Sequence, residues 1–136
     1  MEPFEELAAR IGATPFYAWA GISLVSAGNG EVEVAMDIAD HHLNVQGLAH
    51  GGMLATLADT AAGLAVRTRL DPGRRHVTVQ LNVNYLSPAS PGRVLARGRA
   101  VLVGAQIAVA EAEVTDERGR ALVHATATLA VTADRG

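Results

Sequence analysis

The sequence predicts an α+β domain in which one antiparallel sheet wraps around a single long apolar helix. Two patterns of hydrophobic residues lead to this prediction. Before and after 51–69, apolar side chains alternate with polar ones, which is typical of strands with one buried face. Within 51–69, apolar and small residues instead recur every three or four positions, which indicates a helix buried on nearly all sides. The predicted order of elements is therefore ββ-α-ββββ.

Length and composition limit the kind of protein this can be. The chain has 136 residues, 49 % of them hydrophobic and 18 % charged, and this length suits a single domain over 1–136. The absence of cysteine excludes disulfides, a thiol nucleophile and Cys-ligated metals. All eleven basic residues are arginine, which excludes lysine Schiff-base chemistry. The net charge of −3 provides no basic field, so we expect no nucleic-acid partner.

The first segment predicts a short amphipathic helix at about 3–11, ended by the residues from Gly12 to Pro15. Phe16, Tyr17 and Trp19 follow, and they fit either a hydrophobic plug over the edge of the core or a lid over a ligand pocket. The acidic N-terminus lacks the pattern of a signal peptide. We expect a cytoplasmic protein, with a loose tail at 133–136.

Strands are predicted on both sides of the long helix. A turn at 28–30 separates two early strands, and later strands lie near 77–85, 97–99, 110–114 and 123–131. In the strand at 77–85, Thr78 is expected to face away from the apolar side. The residues expected to share that apolar side are Val77, Val79, Leu81, Val83 and Tyr85.

Asp59 lies in the middle of the buried helix predicted at 51–69. It is the one ionisable side chain between Gly51 and Val66, which also makes this stretch too polar to span a membrane. A lone buried carboxylate costs several kcal/mol unless it is paired, hydrogen-bonded or protonated. Asp59 therefore either bonds to neighbouring backbone or to an arginine such as Arg67, or performs chemistry.

The start of the same helix lacks an ordinary cap. The residues AHGG at 49–52 offer no Ser, Thr, Asp or Asn at the N-cap position. The amides of Gly51 and Gly52 are therefore expected to be open, either to water or to a carbonyl oxygen that gains negative charge.

Gly51 and Asp59 are eight positions apart on one helix, a separation of ~12 Å at 1.5 Å per residue. This is too far for both to act on one carbonyl group. An antiparallel second copy of the helix would bring Asp59 of one chain close to Gly51 of the other. If these residues form an active site, the protein is expected to be a homodimer with two equivalent sites.

Three segments resemble a known family. The chain has HLNVQGLAHGG at 42–52, LADT at 57–60 and VTVQLNVNYLSPA at 77–89. These residues resemble the hotdog-fold acyl-CoA thioesterases of the phenylacetate-pathway type, over essentially all of 4–132. The combination of Asn44, His50 and Asp59, at spacings of six and nine, makes the resemblance specific.

The resemblance implies a role for each matching residue. Asp59 is expected to act as general base or nucleophile, and the Gly51 amide to polarise the thioester carbonyl. The remaining candidates are Asn44 and His50, which support the carbonyl and the helix turn, Thr78, which assists the water, and Gly52 and Tyr85, which bind substrate. The carboxylate and hydroxyl would come from one subunit and the carbonyl-binding groups from its partner.

The resemblance also implies an acyl-CoA substrate with an aryl or medium-chain acyl group, and a dimer that pairs into a tetramer. No cofactor is expected, because CoA is part of the substrate, and no metal-ligand pattern is present. Two other functions stay open: an enoyl-thioester hydratase with His50 as base and Asp59 as its partner, and a non-catalytic acyl-CoA-binding protein. The turn at 103–106 lacks the basic residues of many relatives. Arginines that could contact CoA phosphates instead are Arg74, Arg75, Arg93, Arg97 and Arg99.

Overall fold

The computed structural model describes residues 2–133 and confirms the α+β fold with its predicted order. The tail expected at 133–136 lies, beyond Ala133, outside the described residues. The elements are α1 Phe4–Ala13, α2 Pro15–Ala20, β1 Ile22–Gly28, β2 Glu31–Ile38, a 3-10 turn Asp40–His42, α3 Gly51–Arg67, β3 Arg74–Tyr85, β4 Gly92–Val103, β5 Ile107–Asp116 and β6 Ala121–Ala133.

The strands of the described region form one antiparallel sheet in the order β1-β2-β4-β5-β6-β3. The strands β1 and β3 are its two edges. The predicted turn between β1 and β2 is confirmed, with φ values of 47° at Asn29 and 89° at Gly30. Asn and Gly adopt such positive φ angles at little cost, which is why this short turn reverses the chain here.

The long helix α3 packs against the inner face of the sheet and contacts every strand. Its buried side is rich in alanine, so the helix backbone lies very close to the strands. At Gly98 on β4 a Cβ atom would overlap the carbonyl of Ala61. Glycine at this position therefore allows the closest approach between helix and sheet.

The helix α3 begins at Gly51 as predicted and ends at Arg67, two residues before the predicted end. Thr68 follows the last helical residue. Its hydroxyl donates to the Ala65 carbonyl and accepts a bond of 2.7 Å from the Gly30 N–H. This polar residue thus ties the helix end to the β1–β2 turn. No helix among residues 2–133 is long and apolar enough to cross a membrane.

The prediction of which β3 side chains face the core is wrong for the first half of the strand. Thr78 pairs with Leu129 but Gln80 pairs with Thr128, so Val79 is an extra residue that forms a β-bulge. Before the bulge, Thr78 faces α3, whereas Val77 and Val79 are 56 % and 60 % exposed. After the bulge, Leu81 and Val83 pack against the core as expected. The bulge therefore shifts the alternation by one residue.

The N-terminal region forms two helices rather than one. The helix predicted at 3–11 is present as α1 but continues through Gly12 to Ala13, so its predicted end is wrong, and a second helix, α2, spans Pro15–Ala20. Pro15 occupies the first turn, where its missing N–H costs nothing, and Gly21 ends the helix with φ 73°. Sequence reasoning treated Pro15 as part of a break, although proline also starts helices.

Candidate active site

Asp59 lies half-buried on α3, and its carboxylate bonds to the neighbouring strand. The Thr78 hydroxyl donates a hydrogen bond of 2.8 Å to Asp59 Oδ1. Arg67 does not pair with Asp59, since its guanidinium donates to the backbone carbonyl of Arg74. Within 2–133, Asp59 forms no ion pair and its Oδ2 has no hydrogen-bond partner. One carboxylate oxygen therefore remains available for chemistry.

A cavity of about 160 Å³ opens beside this carboxylate. The aromatic segment reaches it through Tyr17 of α2, which is half-buried, whereas Phe16 and Trp19 are 48 % and 54 % exposed. Tyr17 also packs against the hydrophobic core, so its position fits both a plug and a lid. The residues that line the cavity are Tyr17, Asp59, Thr60, Gly63, Leu64, His76 and Thr78.

The N-terminus of α3 is capped by an imidazole. His50 Nδ1 accepts a hydrogen bond of 2.8 Å from the Gly52 N–H, so the expectation that both glycine amides are open is wrong for Gly52. The imidazole nitrogen takes the place of the missing Ser or Asp oxygen. The Gly51 N–H donates to no acceptor in the described part of the chain. Gly51 therefore supplies the open amide of this helix end.

Asn44 shapes the loop that precedes α3. Its Oδ1 accepts hydrogen bonds of 2.9 Å from the Gln46 N–H and 3.3 Å from the Leu48 N–H. With the oxygen so assigned, Nδ2 has no acceptor among residues 2–133. Asn44 can therefore hold the loop with its oxygen and donate to a ligand with its nitrogen.

Tyr85 lies against the same helix end. Its hydroxyl donates 2.8 Å to the Gly51 carbonyl, and a Cβ at position 51 would lie 3.1 Å from the tyrosine ring. A side chain at position 51 would thus crowd the ring. Asn44, Gly51 and Tyr85 line a second cavity of about 360 Å³. The structure brings these three predicted residues together.

His76 is a site residue that the sequence reasoning missed. It lines the Asp59 cavity, and burial together with the nearby Arg67 charge lowers the pKa of its imidazole, against the opposing effect of Asp59. His76 stands two positions before Thr78 on β3, and alternate residues of a strand share a face. That spacing could have placed it beside Thr78.

The arginines proposed for CoA phosphates are largely engaged elsewhere. Arg97 pairs with Glu33 over 2.6 Å, Arg99 pairs with Glu111, and Arg74 donates to the carbonyl of Ala105 in the uncharged turn. The Arg97 and Arg99 pairs line a larger cavity, of about 570 Å³, to which α3 contributes no lining residue. The sequence-predicted candidates Asn44, Gly51 and Tyr85 thus line one cavity along α3, and Asp59 and Thr78 line another.

Comparison with known proteins gives matches along most of the chain. The thioesterase superfamily model matches residues 46–123. A Halobacterium salinarum protein named as an esterase is 41 % identical over 99 residues, which cover 69 % of this chain and 65 % of that protein. The chain thus spans slightly less than two thirds of that relative. The 1,4-dihydroxy-2-naphthoyl-CoA hydrolase of Listeria monocytogenes is 29 % identical over 111 residues, covering 82 % of this chain and 90 % of the hydrolase.

Solved structures show the same fold. A thioesterase from Haemophilus influenzae superimposes with a TM-score of 0.91 at 25 % identity, covering 100 % of this chain and 94 % of that one. A Streptococcus mutans protein solved with bound acetyl-CoA gives a TM-score of 0.77 at 34 % identity, covering 85 % and 91 %. The family model matches more than half of the chain, and the chain therefore belongs to the thioesterase superfamily and has the hotdog fold.

Proposed function

We propose that this protein hydrolyses acyl-CoA thioesters with aryl or medium-chain acyl groups, in the manner of the phenylacetate-pathway thioesterases that its motif resembles. A relative named as an acyl-CoA hydrolase and a neighbour with bound acetyl-CoA support this substrate class. No cofactor takes part, because CoA itself belongs to the substrate. A cytoplasmic location goes with such a substrate and stays a prediction.

The hydrogen bond between Thr78 and Asp59 is the observation that carries the proposal. A carboxylate held at one oxygen and open at the other can take a proton from water. The water oxygen then bonds to the thioester carbon, the carbon–sulfur bond breaks, and CoA leaves as a thiolate. The proton passes from Asp59 to solvent or to the thiolate. Direct attack by Asp59, followed by hydrolysis of the anhydride, uses the same geometry.

The open amide of Gly51 is suited to the other half of the reaction. A helix N-terminus with a free N–H stabilises the negative oxygen that develops on the carbonyl. Asn44 lines the same cavity, and its Nδ2 group can donate a second bond. A thiolate leaves without strong protonation, so a base and an oxyanion donor suffice.

The two half-sites require two subunits. Asp59 and Gly51 lie eight residues apart on α3, roughly 12 Å along one helix axis. The edge strand β3 exposes Val77 and Val79, and its outer side has no partner strand among residues 2–133. Antiparallel pairing of β3 with its copy would satisfy the unpaired backbone groups of this edge and set the two α3 helices antiparallel. The further assembly of two dimers stays a prediction.

The hydratase alternative fits the geometry less well. His50 Nδ1 accepts the Gly52 N–H, so the proton of the neutral ring lies on Nε2 and the basic lone pair is already engaged. Asp59 bonds to Thr78 and makes no bond to His50. His50 therefore acts as a helix cap in this arrangement rather than as a base.

The test is a panel of acyl-CoAs with a thiol reagent that colours on reaction with free CoA. The panel holds phenylacetyl-, benzoyl-, hexanoyl- and crotonyl-CoA. Because the chain has no cysteine, the reagent reports CoA without protein background. Release of CoA supports the proposal. Hydration of crotonyl-CoA without CoA release indicates a hydratase, and saturable binding without turnover indicates a binding protein; either result would contradict it.

A further inference from the structure

The cavity beside Asp59 contains a group that the proposed mechanism does not yet use, the imidazole of His76. The bulge at Val79 turns the first half of β3 so that His76 and Thr78 both face α3. His76 is half-buried, and its ring nitrogens make no hydrogen bond with the described residues. An imidazole without a protein partner thus faces the same space as the carboxylate.

Gly63 on α3 leaves space for the His76 imidazole. A Cβ at position 63 would lie 3.2 Å from His76 Cε1 and 3.5 Å from Nδ1, so glycine leaves room for the imidazole. Gly63 follows Asp59 by four residues, and residues at this spacing lie on the same face of a helix. The imidazole therefore lies against α3 one turn beyond the carboxylate.

The charges around His76 favour its neutral form. Burial and the Arg67 guanidinium lower the pKa of His76, while the Asp59 carboxylate raises it by a smaller amount. The phenol of Tyr17 reaches the cavity from α2, and β6 places the apolar Val131 opposite His76. A neutral imidazole offers one N–H donor and one lone-pair acceptor.

We propose that the neutral His76 imidazole orients the hydrolytic water for Asp59. This inference rests on the proposed function and extends it. The water donates one hydrogen to the open Asp59 oxygen and the other to His76, which leaves an oxygen lone pair free to attack the thioester carbon. The first O–H bond breaks towards Asp59, the O–C bond forms and the C–S bond breaks. His76 keeps its own proton throughout. The cavity of about 160 Å³ has room for a few waters, at roughly 30 Å³ each.

The test compares His76→Leu with His76→Gln, which retains an acceptor oxygen. We expect His76→Leu to lower kcat about tenfold, the effect of one hydrogen bond on a barrier, with KM little changed. His76→Gln should recover much of the lost rate. The matched control is His124→Gln, on β6, because His124 does not line the Asp59 cavity. This control should retain the wild-type kcat.

The pH profile of kcat distinguishes a role of His76 in orienting water from a role in packing alone. Protonation of His76 removes the acceptor, so the wild-type kcat should fall in acid as His76 gains a proton. His76→Gln has no imidazole to protonate, so the acid limb of its kcat profile should move to lower pH. Should the His76 variants fail to fold, the titration of the His76 ring proton is followed by NMR in Asp59→Asn. Loss of the carboxylate should lower the His76 pKa further.

The outcomes distinguish this inference from the proposed function. A wild-type protein that releases no CoA overturns the proposed function and this inference with it. An active wild type whose His76→Leu variant has the same kcat and acid limb overturns this inference alone. A His76 pKa that is the same in Asp59→Asn as in the wild type also overturns this inference alone.

Discussion

Thr78 on β3 donates a hydrogen bond of 2.8 Å to Asp59 on α3. This contact fixes one oxygen of a carboxylate that lines the cavity, and the other oxygen has no hydrogen-bond partner among the described residues. It depends on the bulge at Val79, because an uninterrupted alternation along β3 would turn the Thr78 hydroxyl away from the helix. A backbone irregularity in the edge strand thus determines the side-chain geometry of the proposed base.

Replacement of Asp59 by Asn tests the proposed base directly. The amide keeps the size of the carboxyl group but cannot accept the proton of water, so turnover should fall by at least ~10²-fold. The melting temperature should stay close to that of the wild type. Asp37→Asn is the control, because Asp37 is exposed on β2. Near-normal turnover with a lower melting temperature would instead show that Asp59 is structural.

Thr78→Val removes the hydroxyl that orients the carboxylate and keeps a similar shape. We expect kcat/KM to fall roughly tenfold, because the lost hydrogen bond is worth on the order of 1–2 kcal/mol. Thr78→Ser keeps the donor and should stay within a few-fold of the wild type. Steady-state kinetics on the best substrate of the panel measure both variants. Equal kcat/KM values for Thr78→Val and Thr78→Ser would contradict an orienting role of the Thr78 hydroxyl.

Mixed dimers test whether the site is shared between subunits. Asp59→Ala lacks the base, and Asn44→Asp lacks the amide donor while keeping an oxygen for the loop amides of Gln46 and Leu48. Each variant alone should be inactive. Random mixing should restore about a quarter of the wild-type activity, since half of the dimers then carry one intact site of two. Stable mixed dimers without activity would count against the shared site.

Gly98→Ala tests the close packing of α3 on the sheet. The added methyl would overlap the Ala61 carbonyl, so the helix must move, and the free energy of unfolding should fall by about 1–3 kcal/mol. Gly12→Ala is the matched control on α1, where a Cβ meets nothing within 4 Å. It should be neutral or slightly stabilising. Equal melting temperatures for the two variants would contradict the close approach.

Much of the fold could be predicted because its elements have clear hydrophobic periods. The helix α3 and the hairpin at Asn29 follow from local rules, and the structure confirms them. The face of Thr78 could not be predicted, since the alternating valines continue through the bulge without a break in the pattern. The cap of α3 was also missed, because histidine is not among the residues that commonly cap helices.

Part of the candidate site could be predicted from the sequence, because some of its residues break a local rule. Asp59 and Gly51 are conspicuous in sequence, one as a carboxylate on an apolar helix and the other as an uncapped amide. His76 carries no such local contradiction, because a histidine in a strand of mixed polarity is unremarkable. Its importance appears only when Gly63, on another element, provides space beside it.

The placement of Gly51 and Asp59 on a single helix has a mechanical consequence for the proposed dimer. Each α3 helix would carry the Gly51 amide of one site and the Asp59 carboxylate of the other. Any movement of this helix along its axis would shift groups in both sites together and by equal amounts. Substrate held at one end would therefore restrain the geometry at the other, and the two sites could communicate without any change in the sheet.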